Sequence, residues 1–263
     1  MLTTALCAIA LRRSLLASVL ALVLAIGGTP ARAETDLIDP HAAQLLRQMS
    51  QALGGAETLS FKAYSLFDEI EPSGVKIKFG QVQEVTLKRP DRLHFTTERD
   101  DGTRREGWYD GKTLTIARDD KKTFSQVAVP GTIDELLDWV QDHNLTHVPL
   151  IDLLYSDLYG KIEGDLLSGV YAGERSLEGV PLDHLSFETT PGDVQLWLEK
   201  GEMPLPRRVV ITFVALEGEP EYIGLIREWS LDRPVDDAAF HFEPPAGWQK
   251  VDLPVAAPTV PAR

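Results

Sequence analysis

From Leu59 onward the chain alternates apolar and polar residues with period two, in short runs separated by turn residues. Successive side chains of a strand point to opposite faces, so this pattern builds sheets with one buried face. Six such runs come first: Leu59–Glu71, Val75–Arg89, Arg92–Arg99, Arg104–Tyr109, Thr113–Arg118 and Thr123–Val127. Five more follow: Gly169–Ser176, Leu182–Thr189, Val194–Lys200, Arg207–Leu216 and Tyr222–Leu231. The connectors carry turn chemistry, as in Pro72-Ser73-Gly74, Asp100-Asp101-Gly102, Asp110-Gly111 and Pro191-Gly192-Asp193. Asp110-Gly111 after Trp108-Tyr109 is the sharpest hairpin signal. Strands joined by such short turns are antiparallel. About eleven meandering strands in one sheet predict strong curvature.

Three helices interrupt the pattern. Asp39-Pro40 starts the first with an N-cap residue and a proline at N1; Leu45, Leu46, Met49 and Leu53 follow at helical spacing, and Gly54-Gly55 stops it. Thr132 and Glu135 form a capping box ahead of Ile133, Leu136, Leu137 and Val140. A third helix is expected after Pro149, with Leu150, Leu153, Leu154 and Leu158 on one face and Gly160 as its stop. The fold class is therefore α+β and mainly antiparallel β. We expect a single strongly curved, unclosed β-barrel (a half-barrel) of about eleven strands, with the helices as a lid over its concave face.

The first 33 residues have another character. They hold no Asp or Glu, a basic Arg12-Arg13, the apolar run Ser14–Ile26, and Ala31-Arg32-Ala33 as a small-x-small cleavage pattern. Thirteen apolar residues fall short of the ~20 that a membrane span needs. The expected organisation is a signal peptide over 1–33, one domain over 34–252 and a mobile Pro-rich tail over 253–263, with export to the periplasm and no transmembrane segment in the mature chain. Loss of Arg12, Arg13 and Arg32 takes the formal charge from −14 to −17, and loss of Cys7 leaves no cysteine. Such acidity argues against nucleic acid as a partner. Cysteine nucleophiles and cysteine-ligated zinc are excluded from the mature chain.

The sequence holds no G-x-S-x-G, P-loop, G-x-G-x-x-G or H-E-x-x-H motif. His143 and His147 have the spacing of a helical metal pair, but they fall where the second helix ends before Pro149, and no third ligand is identifiable. We therefore expect no metal, no cofactor and no catalytic residue. With 40 Asp and Glu in the chain, a carboxylate pair is always imaginable, and a carboxylate- or His-dependent hydrolase stands as an alternative.

In Val85-Thr86-Leu87-Lys88-Arg89-Pro90 the residues Val85, Leu87 and Arg89 share one strand face. The arginine stem then points to the apolar side near the strand end, its head either at the rim of a cavity or curled out to solvent or Asp91. Trp197, between Leu196 and Leu198, takes the opposite face from its neighbours, toward a covering helix or toward a ligand.

Leu87-Lys88-Arg89-Pro90-Asp91-Arg92-Leu93-His94-Phe95 and Trp108-Tyr109-Asp110-Gly111-Lys112-Thr113-Leu114 resemble the K-R-P and D-G-K-x-L run of LolA-type lipoprotein carriers. Val194–Leu198 followed by Leu205–Val209, and Ala239–Trp248 with its F-x-F-x-P-P-x-G pattern, resemble later parts of the same superfamily. The likeness runs from about Asp39 to Val251 and is strongest to a family of predicted periplasmic proteins within the LolA/LolB-like (LppX-type) superfamily. It implies an unclosed barrel with helices over an apolar cavity that binds acyl chains, and a role in ligand handling for Arg89. The expected function is an exported, non-enzymatic binding protein holding a hydrophobic or amphiphilic small molecule or lipid, with Arg89, Val85, Leu87, Trp139 and Trp197 as candidate contacts. An envelope interaction module with a filled core, docked on a protein partner, is the alternative.

Overall fold

The computed structural model describes residues 37–129, 131–143, 149–190 and 192–253. The predicted signal peptide, the tail beyond Leu253 and His147 lie outside the described residues.

One twelve-stranded sheet carries the fold, in the order β12-β6-β5-β4-β3-β2-β1-β11-β10-β9-β8-β7. The first meander comprises β1 (Thr58–Ile70), β2 (Lys76–Lys88), β3 (Arg92–Arg99), β4 (Arg104–Tyr109), β5 (Thr113–Arg118) and β6 (Thr123–Ala128). It starts mid-sheet and runs outward. The second comprises β7 (Leu166–Leu177), β8 (Val180–Thr189), β9 (Asp193–Glu199), β10 (Pro206–Thr212) and β11 (Glu221–Leu231). It begins at the far edge and works inward until β11 pairs antiparallel with β1, Ala63 opposite Ile226. The sheet is curved and unclosed, since the two edges do not pair. The expected eleven strands become twelve because Gln249–Lys250 adds β12, a short parallel strand on β6. Two residues are too few for alternation to reveal.

Between the meanders lie α2 (Ile133–Asp142), a 3₁₀ helix Pro149–Leu154 and α3 (Leu158–Ile162), while α1 (Pro40–Gly55) precedes the sheet. The caps form as the sequence implies. Asp39 accepts from His41 N at 2.7 Å, and Thr132 with Glu135 completes a capping box. The single third helix expected after Pro149 is corrected to two short pieces. The chain breaks at Ser156, whose N–H donates to Asp134 at 3.0 Å, and Asp157 caps a new helix by accepting from Gly160 N at 2.9 Å. Competing side-chain acceptors end one helix and start another.

All four helical segments cover the concave face. Leu46, Met49 and Leu53 of α1, Leu136 and Leu137 of α2, and Leu150 and Leu154 of the 3₁₀ helix are buried in one cluster with Phe61, Leu87, Leu93, Leu185 and Leu198 of the sheet. No helix among the described residues is long and apolar enough to cross a membrane.

Gly54 of α1 packs directly against the segment linking the 3₁₀ helix to α3. A Cβ there would sit 1.9 Å from the Ser156 carbonyl oxygen, whereas one on Gly55 would meet nothing within 4 Å. Backbone cannot yield as a side-chain tip can. Gly54→Ala is expected to cost about 2 kcal/mol, while Gly55→Ala is neutral or gains up to about 1 kcal/mol from helix propensity. Thermal unfolding of the two variants checks this pair.

Candidate functional site

Val85 and Leu87 point into the concave core, with Leu87 fully buried, and Arg89 follows them at the end of β2. Its backbone N–H donates to Glu57 O at 2.8 Å. Its guanidinium curls neither to solvent nor to Asp91. Instead Nη2 reaches the carbonyl oxygens of Leu154 at 3.0 Å, Tyr155 at 3.3 Å and Leu53 at 3.4 Å. Nη1 stands 3.9 Å from an Asp134 carboxylate oxygen. One side chain thus clips the end of the 3₁₀ helix, the end of α1 and the start of α2 to the sheet. The Arg89 side chain is only 14% exposed. Burial draws its guanidinium below the ordinary range, opposed by the Asp134 charge. The clip is under-satisfied: two N–H groups on Nη2 serve three acceptors, and the buried Nε has no partner.

The two sequence motifs around this point meet in space. Arg92 pairs with Asp91 at 2.8 Å and donates to Asp110 O at 2.6 Å. Asp110 Oδ1 accepts from Lys112 N and Thr113 N, which sets the Asp-Gly hairpin, and Gly111 takes φ +85°, where a Cβ would be strained. Tyr109, fully buried, donates its hydroxyl toward Val129 O at 2.7 Å and Gly131 O at 2.9 Å. Burial pushes that phenol up to about 12. Ile133 N donates to Pro90 O at 2.8 Å. The K-R-P and D-G-K turns therefore form the seat on which α2 starts.

Trp139 is half-buried on α2, packs against the core and stacks on His143 at 4.3 Å. It belongs to the cover that Arg89 clips. His143 Nδ1 lies 2.8 Å from Trp139 O, so this imidazole caps the helix end. No cluster of three metal-ligating residues occurs among the described residues. Trp197 is not brought together with Arg89. It lies on the convex face, opposite Leu196 and Leu198, between His184 (ring stacked at 4.1 Å) and the Arg208 guanidinium 5.0 Å over its other side. It meets neither a helix nor the concave core. The sequence argument placed its direction correctly, but the side chains of neighbouring strands cover it.

Sequence reasoning missed the acidic seam between α2 and the segments after it. Asp134 accepts from the N–H and hydroxyl of Ser156. Asp138 accepts from Tyr155 Oη at 2.7 Å and pairs with Lys161 at 2.6 Å. Asp152 accepts from Gln141 Nε2 at 2.9 Å. The signal was present in Leu150-Ile151-Asp152-Leu153-Leu154, one carboxylate inside an apolar run. Burial lifts Asp152 to about 6, against the weaker pull of Gln141 and Lys161.

Residues 42–254 match the model of the family described as "Predicted periplasmic protein (DUF2092)". The chain belongs to that family. The family places it in the periplasm. Among curated proteins none matches in sequence. Solved structures resemble it at low identity. The lipoprotein LppX of Mycobacterium tuberculosis is 12% identical, with 75% of this chain and 98% of that one covered and a TM-score of 0.45. LprF of Mycobacterium bovis is 15% identical over 76% and 96%, with a TM-score of 0.45. A LolA superfamily protein of Nitrosomonas europaea is 11% identical over 76% and 97%, with a TM-score of 0.38.

The Asp152 shift has a sign that can be measured. Its folded value lies above the ordinary 3.8, so the folded state holds the proton more tightly than the unfolded one. That contribution is fully present below about pH 4 and is lost as pH rises to about 6, by on the order of 2–3 kcal/mol. Asp152→Asn should therefore leave stability unchanged at pH 4, raise it at pH 7 and flatten the slope between. Denaturant unfolding at both pH values checks this, and equal effects at the two would contradict it.

Proposed function

We propose that this is a non-catalytic periplasmic binding protein that takes up a hydrophobic or amphiphilic ligand, a lipid or acyl chain, between the concave sheet face and its helical cover. The carrying observation is the Arg89 clip. A cover that served only as core would need no cation at its rim. Here several short segments are held shut by shared, stretched hydrogen bonds from one side chain. An anionic or carbonyl-bearing headgroup offers Arg89 better-aligned acceptors than those backbone carbonyls. Its arrival would free the cover while its tail replaces the apolar side chains that the cover now buries, at ~25 cal/mol per Å² of apolar area.

A second reading has its own observation in favour. The concave face is filled by the helical leucines, as in a permanent core, which suits an envelope interaction module whose partner docks outside.

Arg89→Leu separates the two. Losing charge-assisted bonds worth ~1.5–3 kcal/mol each should speed amide exchange over 133–143 and 149–162 by about tenfold or more. On the carrier reading it also alters the affinity for a fluorescent fatty acid, because the open population rises. Delipidated wild-type protein should itself bind that probe saturably. If Arg89→Leu loosens the cover while neither protein binds the probe, the carrier reading fails and the filled-core module stands. Unchanged exchange in the variant would remove the clip from the account.

A further inference from the structure

A cavity lies outside the concave interior, on the convex face of β4–β6, beneath the C-terminal strap. Trp108, Glu106 and Arg104 alternate outward along β4 while Gly107 and Tyr109 face the core. The strap is fastened at both ends. Phe240 is buried at one, and at the other Gln249 N donates to Lys122 O at 3.0 Å as β12 joins β6. Between them Phe242 inserts against Trp108 at 4.8 Å and Phe124 at 5.3 Å. Gly247 at φ +84° then turns the chain so that Trp248 returns to the sheet, its backbone N–H donating to Pro245 O at 3.1 Å. These parts line a half-open cavity of about 290 Å³.

The lining has a definite chemistry. Trp108, Phe242 and Trp248 present aromatic surface beside His241; Asp119 and Glu243 supply two exposed carboxylates, and a third, Glu106, is held by His94 Nε2 at 2.8 Å. Arg104 is the one strong base in the wall, and it is shared between Glu106 at 3.8 Å and Glu98 at 4.0 Å. Aromatic faces attract cations through their quadrupole, most strongly for tryptophan, and nearby carboxylates add to that attraction. The carboxylates are too dispersed for a metal, since no group of three metal-ligating side chains comes together among the described residues. A dispersed ring of charge around aromatic walls suits a cation whose charge is spread over carbon. The chain's formal charge of −14 favours the approach of cations over anions.

We propose that this pocket binds a small organic cation, an alkylammonium compound. The inference is independent of the Arg89 clip and of any ligand in the concave interior, because the pocket lies on the other face of the sheet.

The test is a nuclear magnetic resonance titration of the indole N–H signals with choline chloride. Its neutral carbon isostere, 3,3-dimethyl-1-butanol, and sodium acetate serve as controls. The five tryptophans provide an internal reference. Choline should shift Trp108 and Trp248 saturably, more weakly at high salt, while Trp139, Trp197 and Trp229 stay still. Glu243 and Asp119 are both exposed, so Glu243→Gln with Asp119→Asn should leave the fold intact and weaken choline binding by about tenfold. Equal shifts with the neutral isostere overturn the proposal. So does the failure of choline to shift either indole, and so does unchanged affinity in the double variant. None of these results bears on fatty-acid binding by the interior.

Discussion

An open twelve-stranded sheet has one demand that governs everything else in this molecule: its concave apolar face must be covered. A closed barrel would bury that face against itself, and a flat sheet would take a second layer. This sheet does neither, so the cover has to come from elsewhere in the chain. The topology supplies it by splitting the strands into two meanders. The first ends at β6, next to the edge that β12 later completes, and the second starts at the other edge, so the connection between them crosses the concave face. That crossing is α2, the 3₁₀ helix and α3, and α1 lies beside them before β1 begins. The seat for α2 is built from the same turns that end the strands. Tyr109 holds the backbone just before it, and Pro90 accepts from its first residue.

The strands and caps were legible because each rests on local chemistry. Period-two alternation, Asp-Gly at the β4–β5 hairpin and the Thr132–Glu135 box act within a few residues of themselves. The face of Arg89 was legible for the same reason, since its register with Val85 and Leu87 is a property of one strand. Its partners were not. Leu53, Leu154 and Tyr155 lie 36, 65 and 66 residues away, and they engage through backbone carbonyls that leave no trace in side-chain pattern. The break at Ser156 was hidden by the same kind of distance, because Asp134 captures it across 22 residues. Trp197 shows the limit from the other side. Its direction followed from its neighbours, yet what covers it depends on strands β8 and β10 supplying His184 and Arg208.

On the carrier reading, a cover that is close-packed must also yield, and how it does so follows from what each contact loses on opening. The leucines of α1, α2 and the 3₁₀ helix lose apolar contact that an acyl chain restores in kind, an exchange of hydrocarbon for hydrocarbon with little net change. The rim contacts behave differently. The Arg89 carbonyl bonds, the Asp134–Ser156 bonds and the Asp138 pairs with Tyr155 and Lys161 are directional, and hydrocarbon cannot replace them. On the carrier reading, closure is therefore set at the rim and capacity is set by the core. Asp152 weakens the same rim at neutral pH, since partial burial favours its protonated form and its carboxyl ionises only around pH 6. At the neutral side of that value the cover carries an unfavourable charge in its own seam. On the carrier reading, an under-satisfied clip and a reluctant carboxylate lower the closing free energy of the lid, so that a ligand of modest differential affinity opens it.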